Sequence, residues 1–242
     1  DFLRRRFCVV AHSPDAYLDS AAWRGCNTQL PNLFPGRPSF GGLDLASTSD
    51  LAAYALVWPP TLEHPKYSAR VWFWCPRDTA PRRQLTDHVP YLTWADHGHL
   101  TLTPGPRTDY AAIRDAIVSL SSSHSTQVIH FDPWNSTHLL NELSDDHGLH
   151  VREHRQGYPQ LSPATKELER LVSIGGIEIQ ANPVLDWNAR NARLDTRDDM
   201  VRLSKKKSHE KIDGLAALVM ALAAAQSAPE SISVYERRGL TL

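Results

Sequence analysis

The spacing of apolar residues changes character along the chain and predicts two kinds of structure. Three apolar runs in the first third lie at separations typical of hairpins and predict three consecutive antiparallel strands. These runs are Phe40–Ala46, Leu51–Val57 and Ala69–Trp74. After them, segments with helical spacing alternate with short strand-like runs, an order that favours a mixed sheet. We therefore expect an α/β fold with five or more strands and with helices on both faces of the sheet.

The individual elements follow from the same pattern. Helical spacing predicts helices at Leu85–Ala95, Tyr110–Ser122, Trp134–Asp146, Thr165–Ile174 and Ile212–Ala225, and short apolar runs predict strands at Leu100–Thr103, Val128–Asp132, His150–Glu153 and Ile177–Ile179. An earlier helix is predicted at Ser13–Trp23, because a serine cap precedes a proline at the first helical position. The Pro- and Asn-rich stretch Asn27–Pro38 predicts a connector. We expect an N-terminal helix and connector at residues 1–38, a compact domain at residues 39–228 and a C-terminal tail at residues 229–242.

Composition and charge narrow the possible functions. At 242 residues, with 41% hydrophobic and 22% charged residues, the chain is long enough to bury one large core. A net charge of −1 excludes a uniformly basic nucleic-acid-binding surface but permits local patches. The densest basic run is Lys205–Lys207, which is either a solvated loop or a phosphate-binding patch. Cys8, Cys26 and Cys75 lack any paired spacing and predict reduced thiols. No apolar run approaches the roughly 20 residues of a membrane-spanning helix.

Three aspartates are the strongest candidates for chemistry. Asp44 and Asp132 lie at the ends of predicted strands, and Asp213 lies in the first turn of a predicted Ala- and Leu-rich helix. Carboxylates that converge from rigid elements are suited to binding divalent cations, an arrangement typical of two-metal phosphodiesterases. Considered singly, Asp132 and Asp213 are better interpreted as residues that stabilise the start of a helix. Asp44 differs, because a buried carboxylate without a partner costs several kcal/mol and requires a cation or strong donors. Asp50, in the polar segment that follows, is either a turn residue or a further metal ligand.

Other chemical signatures are weaker. His150 and His154 have the spacing of an inverted zinc-protease motif, but that motif requires a helix and this short segment predicts a strand. The serines lack the Gly-x-Ser-x-Gly pattern of serine hydrolases, and the chain lacks a Gly-rich phosphate-binding loop that ends in Lys-Ser or Lys-Thr. We therefore expect neither serine hydrolysis nor ATP hydrolysis. The tryptophans Trp72, Trp74 and Trp94 favour core packing over base stacking.

Five segments carry a resemblance to a known family. They are Gly42–Leu51, Phe131–Asn135, Gln160–Glu169, Asn182–Trp187 and Lys211–Leu218. In this order they resemble successive motifs of the C-terminal nuclease domain of the large terminase subunit of tailed bacteriophages. The opening Phe2–Arg6 resembles the segment that follows the ATPase domain of this family, and the motifs of that ATPase motor are absent from the sequence. We therefore expect a nuclease domain without its motor.

The resemblance implies an RNase H-like fold and metal-dependent cleavage of DNA. It implies that Asp44 on the first strand, Asp132 after the fourth strand and Asp213 on the last helix are catalytic and bind two Mg²⁺ or Mn²⁺ ions. Asp50 matches an additional acidic position that some relatives place near the second metal ion. The run Lys205–Lys207 is then expected to contact backbone phosphates, which gives affinity without base specificity.

The resemblance also implies partners and a location. Members of the family cut genome-length units from concatemeric viral DNA while the capsid fills. The expected partners are double-stranded DNA, the small terminase subunit, the portal of the procapsid and the ATPase domain of the full-length chain, with no membrane. The expected location is the cytoplasm of the bacterial host, at the portal of the procapsid. Two alternatives stay open: a structure-selective nuclease of the Holliday-junction resolvase or transposase type, and a non-catalytic module that docks DNA or the procapsid.

Overall fold

Most of the described chain is organised around one mixed sheet. The computed structural model of the protein describes residues 16–45, 50–133, 137–208 and 210–227, except for the side chains of residues 137 and 138. The strands in these residues are β1 Asn27–Thr28, β2 Ser39–Asp44, β3 Ala52–Trp58, β4 Tyr67–Pro76, β5 Thr101–Thr103, β6 Thr126–Phe131, β7 Val151–Glu153, β8 Ile177–Gln180, β9 Leu194–Arg197 and β10 Met200–Leu203. The first eight form a sheet in the order β1-β8-β4-β3-β2-β6-β7, with β5 beside β4, and β9 pairs with β10 alone. The predicted mixed sheet of five or more strands is confirmed.

The pairing of the strands brings two predicted acids to one edge of the sheet. β2, β3 and β4 form the predicted antiparallel meander. β6 is parallel to β2, and β7 is parallel to β6. On the other side, β5 and β8 are both parallel to β4. Because β2 and β6 are parallel neighbours, their carboxyl ends, and the residues that follow them, lie at the same edge.

The helices pack against this sheet. In the described residues they are α1 Ser20–Cys26, α2 Ala80–Asp87, α3 Tyr91–Asp96, α4 Tyr110–Ser123, α5 Thr137–Asn141, α6 Tyr158–Ser173, α7 Pro183–Asn191 and α8 Asp213–Ser227. A π-helical turn at Glu142–Asp146 continues α5. Trp134, where that helix was expected to begin, lies outside the described residues.

Several predicted helix boundaries are wrong for identifiable reasons. The predicted helix Leu85–Ala95 is two helices, because Pro90 stands between α2 and α3 and proline lacks the backbone donor that a continuous helix needs. Helix α1 begins at Ser20 with Asp19 as its cap, whereas the predicted serine cap at position 13 lies outside the described residues. The hairpin β9–β10 has no counterpart among the predicted elements.

Both faces of the sheet are buried, so the expectation of helices on both faces is confirmed. Every residue of β3 is buried, and successive side chains enter opposite cores. Ala55 and Val57 pack with residues of α6 and α8 in one core. Tyr54 and Trp58 pack with residues of α4 in the other. A strand buried on both faces explains why the sequence at this position is apolar throughout.

Residues before Ser39 contribute to one of these two cores. Tyr17, Trp23 and Cys26 are buried in the core that contains α6 and α8, and β1 pairs with β8. The domain division near residues 38 and 228 stays a prediction. Cys26 and Cys75 are buried free thiols, and the cysteine at position 8 lies outside the described residues. Across the part of the chain that the structure describes, no helix combines the length and apolar character needed to cross a membrane.

Candidate active site

Two of the predicted acids follow neighbouring parallel strands. Asp44 is the last residue of β2, and Asp132 comes directly after β6. The two strands pair Leu43 with Phe131, which are the residues immediately before the two aspartates. Neighbouring strands lie about 4.8 Å apart, so the two aspartates leave the sheet side by side. Asp44 is 2% exposed, and Asp132 is partly exposed.

The third predicted acid reaches this edge because α8 lies unusually close to the sheet. A Cβ atom on Gly42 would lie 2.0 Å from the carbonyl oxygen of Ala217, and a Cβ atom on Gly214 would lie 2.4 Å from the ring of Phe73. Only glycine fits at either position without a shift of its neighbours. Since α8 begins at Asp213, its contact with the sheet brings this carboxylate close to Asp44.

Helix α7 holds the start of α8 in place. The Asn188 side chain is fully buried, and its Oδ1 accepts a hydrogen bond of 2.7 Å from the backbone nitrogen of Gly214. Nearby, Asn191 Nδ2 donates to the carbonyl oxygen of Lys211 at 3.2 Å. These contacts restrain the segment that carries Asp213. Asn188 is a structural contributor that the sequence reasoning missed, because its partner is a backbone group 26 residues away.

A lysine joins the two buried aspartates. Lys205 Nζ lies 2.8 Å from Asp44 Oδ2 and 2.9 Å from Asp213 Oδ1. Lys205 Nζ also donates to Asp44 Oδ1 at 3.0 Å. The Lys205 side chain is 49% exposed, whereas the side chains of Asp44 and Asp213 are 2% and 10% exposed. The lysine therefore reaches from the surface into a buried acidic pair.

The electrostatics of the cluster follow from burial and mutual proximity. The pKa of Asp44 is raised to about 7: burial is the largest cause, the charge of Lys205 opposes it, and the charges of Asp213 and Asp132 act in the same direction as burial. Burial alone would lower the pKa of Lys205, but the attraction of Asp44 and Asp213 outweighs burial and the pKa is raised. The effect of Asp132 on Asp44 places all three predicted acids within one electrostatic neighbourhood. Crowded carboxylates of this kind favour the presence of a cation.

The donor set fits a hard divalent cation. Asp213 Oδ2 is buried without a hydrogen-bond partner in the described residues, and Asp44 Oδ2 contacts the ammonium without hydrogen-bond geometry. Carboxylate oxygens are the ligands that Mg²⁺ and Mn²⁺ prefer. In the arrangement that the structure describes, no three His, Cys, Asp or Glu side chains lie close enough together to share a metal ion. Asp132 is more exposed than the two aspartates that Lys205 joins.

Asp50 lies in a different ion-pair network. Asp50 Oδ2 accepts from Lys211 Nζ, and Asp50 Oδ1 lies 3.0 Å from Arg83 Nη1. Arg83 belongs to α2, and Lys211 precedes α8, so Asp50 connects these two elements. The predicted role of Asp50 as a metal ligand stays a prediction, and the described contacts of its carboxylate are with cationic side chains.

The basic run does not act as one patch in the structure. Lys205 contacts the aspartate pair, whereas Lys207 Nζ lies 2.7 Å from Asp195 Oδ1 in the β9–β10 hairpin. Asp195 also accepts from the Tyr158 hydroxyl at 2.7 Å, and the lysine and tyrosine bonds lower the pKa of this carboxyl to about 2. Lys206 is exposed. The predicted DNA contacts of Lys205, Lys206 and Lys207 stay predictions.

The histidine pair with metalloprotease spacing does not lie on a helix. Its central residues form β7 at Val151–Glu153, so His150 and His154 do not share a helical face. His154 stacks on His130 with ring centroids 4.9 Å apart. The interpretation of this segment as a strand is confirmed, and it removes the geometric basis for an inverted zinc-protease motif.

Sequence comparisons match the chain to one family. Residues 1–228 match the family model described as terminase large subunit, endonuclease domain. The chain is 30% identical over 213 residues to the terminase large subunit of Enterobacteria phage HK97. The alignment covers 86% of this chain and 41% of that protein. It is 27% identical over 232 residues to protein YmfN of Escherichia coli strain K12. This alignment covers 91% of this chain and 51% of that protein. The chain thus spans about half the length of these relatives or less.

Solved structures with a similar fold agree with these matches. The crystal structure of the HK97 bacteriophage large terminase aligns with a TM-score of 0.78 and 28% identity, over 86% of this chain and 43% of that chain. The large terminase nuclease from thermophilic phage G20c with bound magnesium aligns with a TM-score of 0.57 and 11% identity, over 88% of this chain and 98% of that chain. The second likeness concerns the fold alone. Together with the mixed sheet described above, these neighbours confirm the predicted RNase H-like nuclease fold.

Proposed function

Because the chain belongs to the terminase large subunit endonuclease domain family, we propose that it is a metal-dependent nuclease that cuts double-stranded DNA. The observation that carries this proposal is the convergence of two buried aspartates, Asp44 and Asp213, on one cation at the carboxyl edge of the sheet. Asp132 follows the adjacent strand and adds its charge to the same neighbourhood. The burial of two acids beside one lysine, with a third acid at the end of the adjacent strand, supports a functional role for this cluster.

Asp44, Asp132 and Asp213 are the proposed metal ligands and catalytic residues. Both carboxylate oxygens of Asp44 contact Lys205 Nζ, and Asp44 would hold the metal ions together with Asp132 and Asp213. When bound, Mg²⁺ or Mn²⁺ activates the attacking water and stabilises the charge that develops on the scissile phosphate. The role of the protein is to hold the carboxylates on a strand end, a strand exit and a helix start, where little reorganisation is needed.

The number and identity of the metal ions are part of the proposal. The G20c nuclease is described with magnesium in one structure and with cobalt in another. A set of carboxylate oxygens without thiolate or imidazole supports Mg²⁺ or Mn²⁺ as the ions of this chain. Two ions agree with in-line displacement at phosphorus, in which the attacking and leaving oxygens each require stabilisation.

We place the activity in viral genome packaging. The relative from phage HK97 is a terminase large subunit, and the proposed substrate of this chain is concatemeric viral DNA. The proposed partners are the small terminase subunit, the portal of the procapsid and an ATPase domain of the full-length protein, in the cytoplasm of a bacterial host. Since this chain corresponds to 41% of the HK97 protein, translocation of DNA is not assigned to it.

DNA binding is expected to depend on local charge. The net charge of −1 provides no general attraction for a polyanion. Lys206 is exposed, and Lys205 is half exposed beside the acidic pair, which supports the proposal that these lysines contact phosphate. Contacts of this kind give affinity that depends on salt and not on base sequence.

Plasmid cleavage tests the proposal. Supercoiled plasmid is incubated with the chain and Mn²⁺, Mg²⁺ or excess EDTA, and the nicked and linear products are measured over time. We expect cleavage with either metal, little sequence preference and no cleavage in EDTA. Cleavage that persists in EDTA, or no cleavage at any metal concentration, would overturn it. A strong preference for four-way junctions over linear duplex would instead favour the resolvase-like alternative.

A further inference from the structure

Lys205 occupies the position at which the two buried aspartates meet. Its ammonium donates charge-assisted hydrogen bonds to Asp44 Oδ1 at 3.0 Å and to Asp213 Oδ1 at 2.9 Å. Both aspartates lie in rigid elements, whereas Lys205 lies in a turn after β10 and half of its side chain is exposed. The acids are therefore held in place by the fold, and the lysine is the movable member of the cluster.

We propose that Lys205 is a built-in counter-ion that fills the cation position between Asp44 and Asp213 and must be displaced before a divalent metal ion binds there. This inference rests on the proposed metal site. Without a cation, two buried carboxylates repel each other and lose their hydration. The ammonium supplies the missing positive charge, so the apo site is stable and at the same time closed to metal.

The lysine is a poorer partner for this site than a divalent ion. It leaves Asp213 Oδ2 buried without a hydrogen bond, and it brings one positive charge to a neighbourhood of three carboxylates. A divalent cation such as Mg²⁺ accepts about six oxygen ligands and brings twice the charge of the ammonium. Exchange of the ammonium for the metal therefore satisfies more of the buried oxygens.

The surroundings of Lys205 permit its side chain to move. A small cavity beside it is lined by Gln156, Leu161, Leu203, Ile212, Ala216 and Met220, none of which carries a charge. The backbone of the turn is held separately, since Lys207 N donates to Ser204 Oγ at 3.2 Å and Lys207 Nζ contacts Asp195. The side chain of Lys205 can therefore leave the acids without unfolding the turn. Its displaced ammonium would face solvent, where a DNA phosphate is an alternative partner.

Metal binding is then an exchange equilibrium with a measurable consequence. The apparent affinity for a metal ion is the intrinsic affinity multiplied by the fraction of molecules in which Lys205 does not occupy the site. If Lys205 occupies the site in about nine-tenths of the molecules, removal of the ammonium raises the affinity by about tenfold. If Lys205 had only a structural or DNA-binding role, its substitution would leave the metal affinity in the absence of DNA unchanged or would reduce it.

Calorimetric titration with Mn²⁺ in the absence of DNA tests this inference. Lys205→Met keeps the aliphatic stem and removes the charge, and Lys205→Gln is a second variant in case the first does not fold. Lys66→Met is the matched control, because Lys66 is 50% exposed and pairs with Glu178 at 3.9 Å on another part of the surface. We expect the Lys205 variants to bind Mn²⁺ about tenfold more tightly than wild type and to melt at lower temperature without metal, and the control to match wild type.

The outcomes separate this inference from the proposed function. Equal or weaker Mn²⁺ binding by both folded Lys205 variants, including no binding at all, would overturn the counter-ion role. Tighter binding that disappears when Asp44→Asn is added would locate the exchange at the proposed site. Tighter binding in a chain that cuts no DNA would leave the counter-ion role intact and remove the proposed nuclease function.

Discussion

The carbonyl oxygen of Ala217 in α8 lies directly over Gly42 in β2, at 2.0 Å from the position that a Cβ atom on Gly42 would occupy. We predict that Gly42→Ala destabilises the protein by about 1–3 kcal/mol or more, because the helix must move away from the strand. The same movement separates Asp213 from Asp44 and should reduce Mn²⁺ affinity. Denaturant unfolding and Mn²⁺ titration measure both effects. Gly25→Ala is the control, since it enters open space within α1 and should not destabilise the protein.

Loss of any one acid should abolish metal-dependent cleavage. We predict that Asp44→Asn, Asp132→Asn and Asp213→Asn each reduce the cleavage rate by more than the roughly 10–100-fold typical of outer-shell changes. Asparagine keeps the shape and removes the charge that a metal ligand needs. Initial rates on plasmid, with circular dichroism to verify folding, provide the measurement. The exposed Asp145→Asn is the control, and wild-type rates in two of the three variants would show that the site is elsewhere.

Asp50 should contribute to stability through its ion pairs. Asp50→Asn leaves Arg83 and Lys211 without their shared partner, and we predict a loss of about 1 kcal/mol, because these side chains are about one-fifth to one-quarter exposed. Arg83→Gln should cause a similar loss, and the double variant should lose less than the sum. Cleavage by Asp50→Asn should fall less than that of Asp44→Asn. A selective loss of Mn²⁺ affinity in Asp50→Asn, absent from Arg83→Gln, would establish the predicted role of Asp50 as a ligand.

The buried contact between Asn188 and Gly214 should stabilise the protein more than the partly buried contact between Asn191 and Lys211. Asn188→Ala leaves the Gly214 nitrogen without its 2.7 Å acceptor, and we predict a cost of about 1–3 kcal/mol. Asn191→Ala removes a longer, partly exposed bond to Lys211 and should cost less. Unfolding free energies of both variants test this order. A smaller loss in Asn188→Ala than in Asn191→Ala would contradict it.

His124 should make the protein sensitive to acid. This side chain is buried edge-on to Trp58, and burial, followed by the charge of Arg70, lowers its pKa. Because the folded pKa lies below the unfolded value of about 6.5, the unfolded chain takes up a proton first and stability falls as the pH drops below that value. His124→Phe should weaken this dependence. Unfolding free energies between pH 8 and about pH 5 provide the measurement, and the exposed His64→Gln should retain the wild-type dependence.

The local pattern of apolar and polar residues was sufficient to predict much of the fold and to identify the candidate acids. The continuous apolar runs of β2, β3 and β4 reflect strands whose two faces are largely buried, and this information lies within each strand. The continuous Ala- and Leu-rich character of α8 predicts a buried helix without reference to its partners. Asp44, Asp132 and Asp213 could be singled out because each is an acid at the end or start of an apolar element. The predicted helix that crosses Pro90 is wrong, although proline is itself a local signal that interrupts a helix.

The contacts that define the candidate site are decided by tertiary structure. Lys205 is 161 residues from Asp44 in sequence, and Lys211 is 161 residues from Asp50. The sequence alone indicated that a buried acid such as Asp44 needs a cation or strong hydrogen-bond donors, because burying an unpaired carboxylate costs several kcal/mol. It did not determine which of 26 lysine and arginine residues supplies that cation. That choice depends on distances of a few ångströms, which only the packing of α8 against the sheet and of the β9–β10 hairpin against α6 produces.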